Sequence, residues 1–427
     1  MSTEGDVVYI HEVQLSNLYA MTDGDGCPLE MGNYSIVAYA DEYLYPPGEA
    51  VLITIIMPII WAIGAISNIA FIFVVVRIRR MRTVTNFYLL NLAVADIMFL
   101  CFAVGEKLGR YAASPIYNDQ FNLKPVGCVL VNFFVQLSFY GSIFLVTLVT
   151  LEKYYAVCRP VQHRLISGNK RTIRTIAAAW LLAIAFAAIL IPAWANWTRS
   201  CLNWPDIEKY NSLPKIFATC RPLSVTYAYF SNGMQTIPFF VVLVLNLLMY
   251  VFIIRAVNTR VVARENHLAS SVARRVRIRD QVVRMLVVNG IIFFICLAPL
   301  QIFSFASMII GILEAVTGSS FVINHEEQIL WTCRIFSYIN SAINPFVYAF
   351  TNPRYREAFM EAFACCHSLK RHLLKKARVQ ENGSSNVSTD QTATMKRFQI
   401  RKESMATTDS QLSKSRSPSI IANDVAI

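Results

Sequence analysis

Charge is scarce in this chain. Asp, Glu, Lys and Arg make up 15% of its 427 residues, and 55% are hydrophobic, whereas a soluble domain carries roughly a quarter charged residues. The deficit is concentrated in seven predominantly apolar stretches, at about 50–77, 86–110, 126–152, 173–195, 226–254, 283–312 and 325–350. A hydrocarbon layer of roughly 30 Å takes about 20 apolar residues in helical form to cross. The pattern therefore excludes a soluble globular protein and predicts an all-α, seven-transmembrane helix bundle.

Other absences are as informative. The first 49 residues contain no Lys or Arg and nine Asp or Glu, with neither a basic start nor an apolar h-region. No cleavable signal peptide is visible, so the first span is expected to act as its own insertion signal. Directly after it, "RIRRMRTVTN" supplies Arg77, Arg79, Arg80 and Arg82, and Arg and Lys recur at 159–174 and 255–284. By the positive-inside rule these loops are cytosolic, the N-terminus is outside and the C-terminus inside, which predicts a multi-pass plasma-membrane protein. The net charge of +12 flanks hydrophobic spans, so no nucleic-acid partner is expected. No HExxH site or membrane-embedded nucleophile and base pair is found, which argues against an enzyme. No internal repeats or broken helices support a transporter.

The order of segments predicts an extracellular tail at 1–49, the bundle at 50–352, an amphipathic membrane-surface helix at 353–366 and a largely disordered cytoplasmic tail at 367–427. In the surface helix Phe359 and Phe363 share a face, with Arg354, Arg356 and Glu357 elsewhere, which suits contact with membrane lipids. Cys365 and Cys366 at its end are candidate palmitoylation sites. The tail's Ser and Thr clusters are candidate phosphorylation sites. Sequons at Asn33 and Asn196 fall on predicted outer segments. Cys128 begins the third span on the outside, and Cys201 and Cys220 lie in the long second outer loop. An oxidising compartment favours a bridge from Cys128 to one of the two, the other remaining open to Cys27.

Polar groups within the spans are costly and mark function. Asp96 sits mid-span with Asn68, Ser142, Asn340, Ser341 and Asn344 at similar depth. Such a set could hold a small cation with oxygen ligands, or form a purely structural hydrogen-bonded network.

Taken in order, "NLAVAD" with Asp96, then Cys128, Glu152-Lys153-Tyr154, Trp180, "FFICLAP" at 293–299 and Asn344-Pro345-Phe346-Val347-Tyr348 resemble the rhodopsin-like family of G-protein-coupled receptors, over about residues 50–366. The resemblance implies several roles. Asp96, Ser142, Asn340, Ser341 and Asn344 match the family's sodium pocket, so an allosteric Na⁺ and no catalytic cofactor are expected. Ile143, Phe293 and Pro238 match the trio that repacks on activation. Pro299 and Pro345 match its helix-kinking prolines, and Tyr348 its inward-swinging tyrosine. Asn246 stands where the family has Tyr, and Tyr250 lies four residues on, so the fifth span aligns in two ways. Partners implied are a heterotrimeric G protein and, through a phosphorylated tail, arrestin. Two departures stand out. Leu297 occupies a position where the family often has Trp, and Lys153 replaces its Arg, exchanging a planar fork for a point charge. The Glu-Lys-Tyr triplet is placed where the third span meets headgroup-level water.

The seventh span has no Lys for a retinal Schiff base, and Val135 stands where amine receptors of the family have Asp. The polar residues left in the outer halves include Glu106, Lys107, Gln136, Gln301 and Arg334, with Tyr338 below them. A cavity with both charge signs suits a peptide. An internal Glu106 to Arg334 salt bridge is the alternative and can coexist with that role. Glu106, Gln136, Arg334, "RMRTVTNFYLLNLAVAD" and "QVVRMLVVNGIIFFICLAP" resemble the family's neuropeptide branch, near receptors for thyrotropin-releasing hormone, ghrelin, neuromedin U and FMRFamide-type peptides. The resemblance implies a receptor for an extracellular peptide. A non-peptide ligand, and signalling impaired by Lys153, are the alternatives.

Overall fold

Inside hydrocarbon every backbone N–H and C=O must be satisfied within its own segment, so the apolar stretches have one solution, the helix. The computed structural model describes residues 40–166, 168–202, 204–262, 270–318 and 326–364. The chain divides into two units, Met1–Ala362 and Phe363–Ile427, and the helix bundle belongs to the first.

Six of the described helices are long and apolar enough to cross a membrane. They are α1 (Pro47–Arg77, with a π-helical turn at Leu52–Ile56), α2 (Val84–Ala113), α3 (Lys124–Cys158), α4 (Asn169–Ile189), α5 (Val225–Val262) and α6 (Ser270–Thr317). The seventh, α7 (Glu326–Thr351), is more polar, carrying Glu326, Glu327 and Arg334 besides Asn340, Ser341 and Asn344. It packs against α6, α1 and α2 and so closes the ring. α3 touches α2, α4, α5 and α6. Pro238, Pro299 and Pro345 lie inside α5, α6 and α7, where each removes a backbone donor.

Several helices outrun the apolar stretches at the end of the bundle that carries the Arg- and Lys-rich loops. α3 continues beyond Glu152 to Cys158, and α5 and α6 extend to Val262 and back to Ser270. Hydropathy marks the thickness of the lipid, whereas a helix continues as long as its residues tolerate it. Phe71, Tyr140, Ile143, Phe239, Phe293 and Tyr348 are fully buried, while Ile66, Leu181 and Ile295 are exposed on the outside of the ring, as a lipid-facing surface requires.

The long second outer loop is not helical. Asn196–Cys201 (β1) and Ile216–Arg221 (β2) pair antiparallel, with Asn196 opposite Arg221, a hairpin that the all-α expectation did not include. Cys220 of β2 is the partner of Cys128, with Cα atoms 5.7 Å apart. The side chain of Cys201 lies outside the described residues. Further contacts hold the hairpin to the first outer loop: Gln120 N–H donates to the Ala218 carbonyl at 2.7 Å, and Ala218 N–H to Asp119 Oδ1 at 3.1 Å.

On the inner side, Pro353–Phe363 (α8) follows α7. Its buried residues are Tyr355, Ala358 and Ala362, and Phe359, expected to face lipid, packs partly buried on this seating face, while Phe363 is exposed. Tyr355 lies beside Phe71 and Tyr348, and Glu361 pairs with Arg80 at 2.8 Å. Asn33, Cys365, Cys366 and the Ser- and Thr-rich tail lie outside the described residues, as do the side chains of the basic run 259–280.

Candidate functional site

Three polar regions lie along the axis of the bundle. The outermost is a cavity of about 650 Å³ between α2, α3, α5, α6 and α7, bordered by Thr219 and Cys220 of the hairpin. Glu106, Val135, Gln136, Arg334 and Tyr338 all line it. Gln136 Nε2 donates to Gln235 Oε1 at 3.3 Å, linking α3 to α5.

Glu106 does not form the ion pair with Arg334 that the sequence left open. Its carboxylate lies 2.7 Å from Arg110 Nε and 3.2 Å from Lys107 Nζ. The Arg110 Nε–H is not aligned on the carboxylate, so that contact is coulombic. Arg110 wins because it sits one helical turn along the same face, and this spacing was open to inspection in the sequence. Arg334 instead places its guanidinium 5.5 Å from the centre of the Trp331 ring, which Lys107 Nζ also approaches at 5.7 Å. Trp331 has no motif to announce it. At the mouth, the Tyr117 hydroxyl donates to Glu327. Burial and the neighbouring carboxylates push the Tyr117 hydroxyl well above its ordinary pKa, so it remains a donor.

Gln301 does not line this cavity. It is fully buried in a chamber of about 70 Å³ below, with Ser142, Leu297, Asn340 and Ser341, and neither end of its amide has a hydrogen-bond partner among the described residues. Leu297 helps form the chamber wall, at the position where the family often has Trp. A branched aliphatic is smaller and carries no N–H.

The second region surrounds Asp96. Its Oδ2 accepts from Asn344 Nδ2 at 2.7 Å, while Oδ1, like Asn340 Oδ1, is buried with no hydrogen-bond partner among the described residues. Asn68 donates to the carbonyls of Gly64 and Ser341 at 2.9 and 2.8 Å and so joins α1 to α7. A buried carboxylate that keeps one oxygen unpaired, with amide and hydroxyl oxygens at the same depth, is a donor set that fits a small hard cation.

The third region is a cavity of about 340 Å³ at the opposite end of the bundle, lined by Thr85, Asn86, Glu152, Lys153, His163, Val282 and Tyr355 among others. The triplet expected in headgroup-level water is half-buried and turned inward, because α3 runs on past it. Lys153 donates from Nζ to Thr85 Oγ1, and Glu152 Oε1 meets His163 Nε2 at 2.8 Å. Adjacent in sequence, the two point about 100° apart on a helix and each finds another partner. Tyr154 packs edge-on to Phe252 of α5.

Both alignments of α5 meet α3. Asn246 Nδ2 donates to Thr147 Oγ1 at 3.0 Å, and the Thr150 hydroxyl donates to Tyr250 Oη at 3.2 Å. Gly290 of α6 makes room for that tyrosine, since a Cβ there would lie 1.8 Å from Tyr250 Oη. Ile143 and Phe293 belong to the same buried cluster as Phe239, while Pro238 is half-buried beside it.

The family description "7 transmembrane receptor (rhodopsin family)" matches residues 67–348. The chain belongs to this family. As a rhodopsin-family receptor it is a multi-pass membrane protein and not an enzyme. It is similar to neuromedin-U receptor 2 of Mus musculus, 26% identical over 72% of this chain and 74% of the relative. It is similar also to galanin receptor 2a of Danio rerio, at 25% over 74% and 79%, and to somatostatin receptor type 5 of Rattus norvegicus, at 27% over 77% and 81%. These similarities place it among the neuropeptide-type receptors of the family.

Proposed function

We propose that this receptor binds an extracellular peptide in the outer cavity and activates a heterotrimeric G protein at the cytoplasmic one. The observation that carries the reading is the outer cavity itself. It is large, polar and charged in both signs, bordered by a disulfide-anchored hairpin, in a chain similar to receptors named for peptides. A peptide offers donors and acceptors along its length, which a cavity lined by Glu106, Gln136, Arg334 and Tyr338 answers.

Activation is a population shift: the ligand binds best to one conformation and so favours it. Pro299 gives α6 a hinge. Ile143, Phe293 and Pro238 repack around it, and Tyr348 turns inward as the cytoplasmic cavity widens. Lys153 then exchanges Thr85 for the G protein. In the inactive state Asp96, Ser142, Asn340, Ser341 and Asn344 hold Na⁺, which satisfies the open oxygens of Asp96 and Asn340. With the basic loops inside, the N-terminus is extracellular, glycosylated at Asn33 and Asn196. The tail is palmitoylated at Cys365 and Cys366, binds membrane lipids, and recruits arrestin once phosphorylated.

A panel of synthetic neuropeptides applied to cells expressing the chain, read by calcium and cyclic AMP, tests the reading. At least one peptide should respond at submicromolar concentration, given the affinities specific sites reach. Response to a lipid or amine and to no peptide overturns the ligand class. Solute accumulation without any G-protein response overturns the receptor reading altogether.

A further inference from the structure

The outer cavity holds one cation, Arg334, that no carboxylate meets at contact distance among the described residues. One carboxylate, Glu106, serves two cations, Arg110 and Lys107, at 2.7 and 3.2 Å. The other lining carboxylate, Glu327, is engaged by the Tyr117 hydroxyl at the mouth. Glu49, outside the lining, lies near Tyr117, Trp331 and Glu327 and within longer-range electrostatic reach of Arg334. Seven residues further along α7, about 10 Å deeper, Arg334 has no ion pair at contact distance among the described residues; its guanidinium lies over Trp331, and Glu49 and Glu106 reach it only at longer range. Lys107 and Arg110 thus share Glu106, and Arg334 touches no carboxylate, where the side chains of Glu106, Lys107 and Arg110 are only 10, 15 and 4% exposed. Partly desolvated charge is weakly screened, and charge of one sign is not left unbalanced in such a place without cost.

We infer that the ligand presents a carboxylate, which docks between Arg334 and Lys107. The inference rests on the peptide reading of this cavity. The guanidinium fork matches the two carboxylate oxygens, and Lys107, sharing Glu106 with Arg110, has donors to spare. The group is either the peptide's C-terminus or an Asp or Glu side chain, and the two are the same chemistry to the site.

The test uses the full chain, tagged at its N-terminus so that surface copies are counted. Each peptide of a synthetic library is made as free acid, as C-terminal amide, and as amide with every Asp and Glu replaced by Asn and Gln. Activity should be confined to carboxylate-bearing forms, and which form responds separates terminus from side chain. Arg334→Gln should lower the potency of the active form roughly 10- to 100-fold, and Arg334→Lys should recover part of it. The form without carboxylate should be indifferent to Arg334→Gln. A peptide lacking any carboxylate that acts at full potency, unchanged by Arg334→Gln, overturns the inference and leaves the peptide reading intact. A response only to a lipid acid, lost in Arg334→Gln, upholds the carboxylate and removes the peptide. Silence from every form, with normal surface expression, counts against both.

Discussion

The two ends of the bundle solve the same problem of placing charge in a cavity in opposite ways. At the outer end Glu106 has two cations and Arg334 has no carboxylate at contact distance among the described residues, and a disulfide between Cys128 and Cys220 holds the frame. At the inner end Lys153 rests on a hydroxyl and Glu152 on a histidine, so every charge of the pair has a modest local partner. The outer end is a fixed frame in which one guanidinium touches no carboxylate. The inner end is a set of weak local contacts, which suits the opening proposed above.

The strongest way to break this contrast is to cut the outer frame. Cys220→Ala opens a cross-link spanning 92 residues and should remove about 2–5 kcal/mol of stability, seen as a lower melting temperature of the purified receptor and reduced surface expression. Unchanged melting would show that the hairpin is held by its hydrogen bonds alone.

Next in size is the inner packing between α5 and α6. Gly290→Ala puts a methyl group where Tyr250 Oη lies and should cost roughly 1–3 kcal/mol. The accompanying loss of the Tyr250 to Thr150 contact should appear as raised activity without ligand. A variant that melts and signals as the parent does would contradict the packing described.

The middle region sharpens the comparison. Replacing choline by Na⁺ at about 0.15 M should stabilise the receptor by about 1 kcal/mol if the ion binds with a dissociation constant of a few tens of millimolar. Asp96→Asn should abolish the difference while preserving the contact to Asn344. Equal sodium dependence in the two chains would remove the ion from Asp96.

The smallest effect belongs to the outer surface. Asp41 and Lys209 form an exposed ion pair at 2.5 Å; the hydrogen bond to Lys209 lowers the Asp41 pKa, and the same bond raises that of Lys209. A depressed carboxylate contributes stability above its unfolded value, near 4, that is lost as pH falls through the folded one. A raised ammonium contributes below its unfolded value, above 10, and loses it as pH rises further. The pair should therefore be indifferent to pH from about 5 to 9, and protection of the Ala40–Tyr43 amides, taken relative to intrinsic exchange at each pH, should fall only below about pH 4. Loss of protection near neutrality would rule the pair out as the anchor.

Much of this arrangement could be read before any coordinate was known. The seven spans follow from apolar runs, and the depth of Asp96, Asn340 and Asn344 follows from their place in those runs. Partners were harder to read. A charge in a helix chooses among neighbours on its own face before those on another helix, which is why Glu106 took Arg110 and left Arg334. The extent of α3 was hidden because hydropathy ends at Glu152 while helix formation does not. The hairpin of β1 and β2, and the isolation of Gln301, depend on contacts between distant segments that no local pattern records.

Most directly at stake is whether the outer cavity and the inner latch are coupled. Coupling is reciprocal, so a partner that favours the open inner end must tighten ligand binding at the outer one, typically 5- to 150-fold. The measurement is the affinity of a labelled agonist peptide for the purified receptor with and without nucleotide-free G protein. The account predicts tighter binding in the presence of G protein, with the gain reduced when Lys153→Ala removes the latch cation. Identical affinity in both conditions, for a peptide whose binding depends on Arg334, would contradict it.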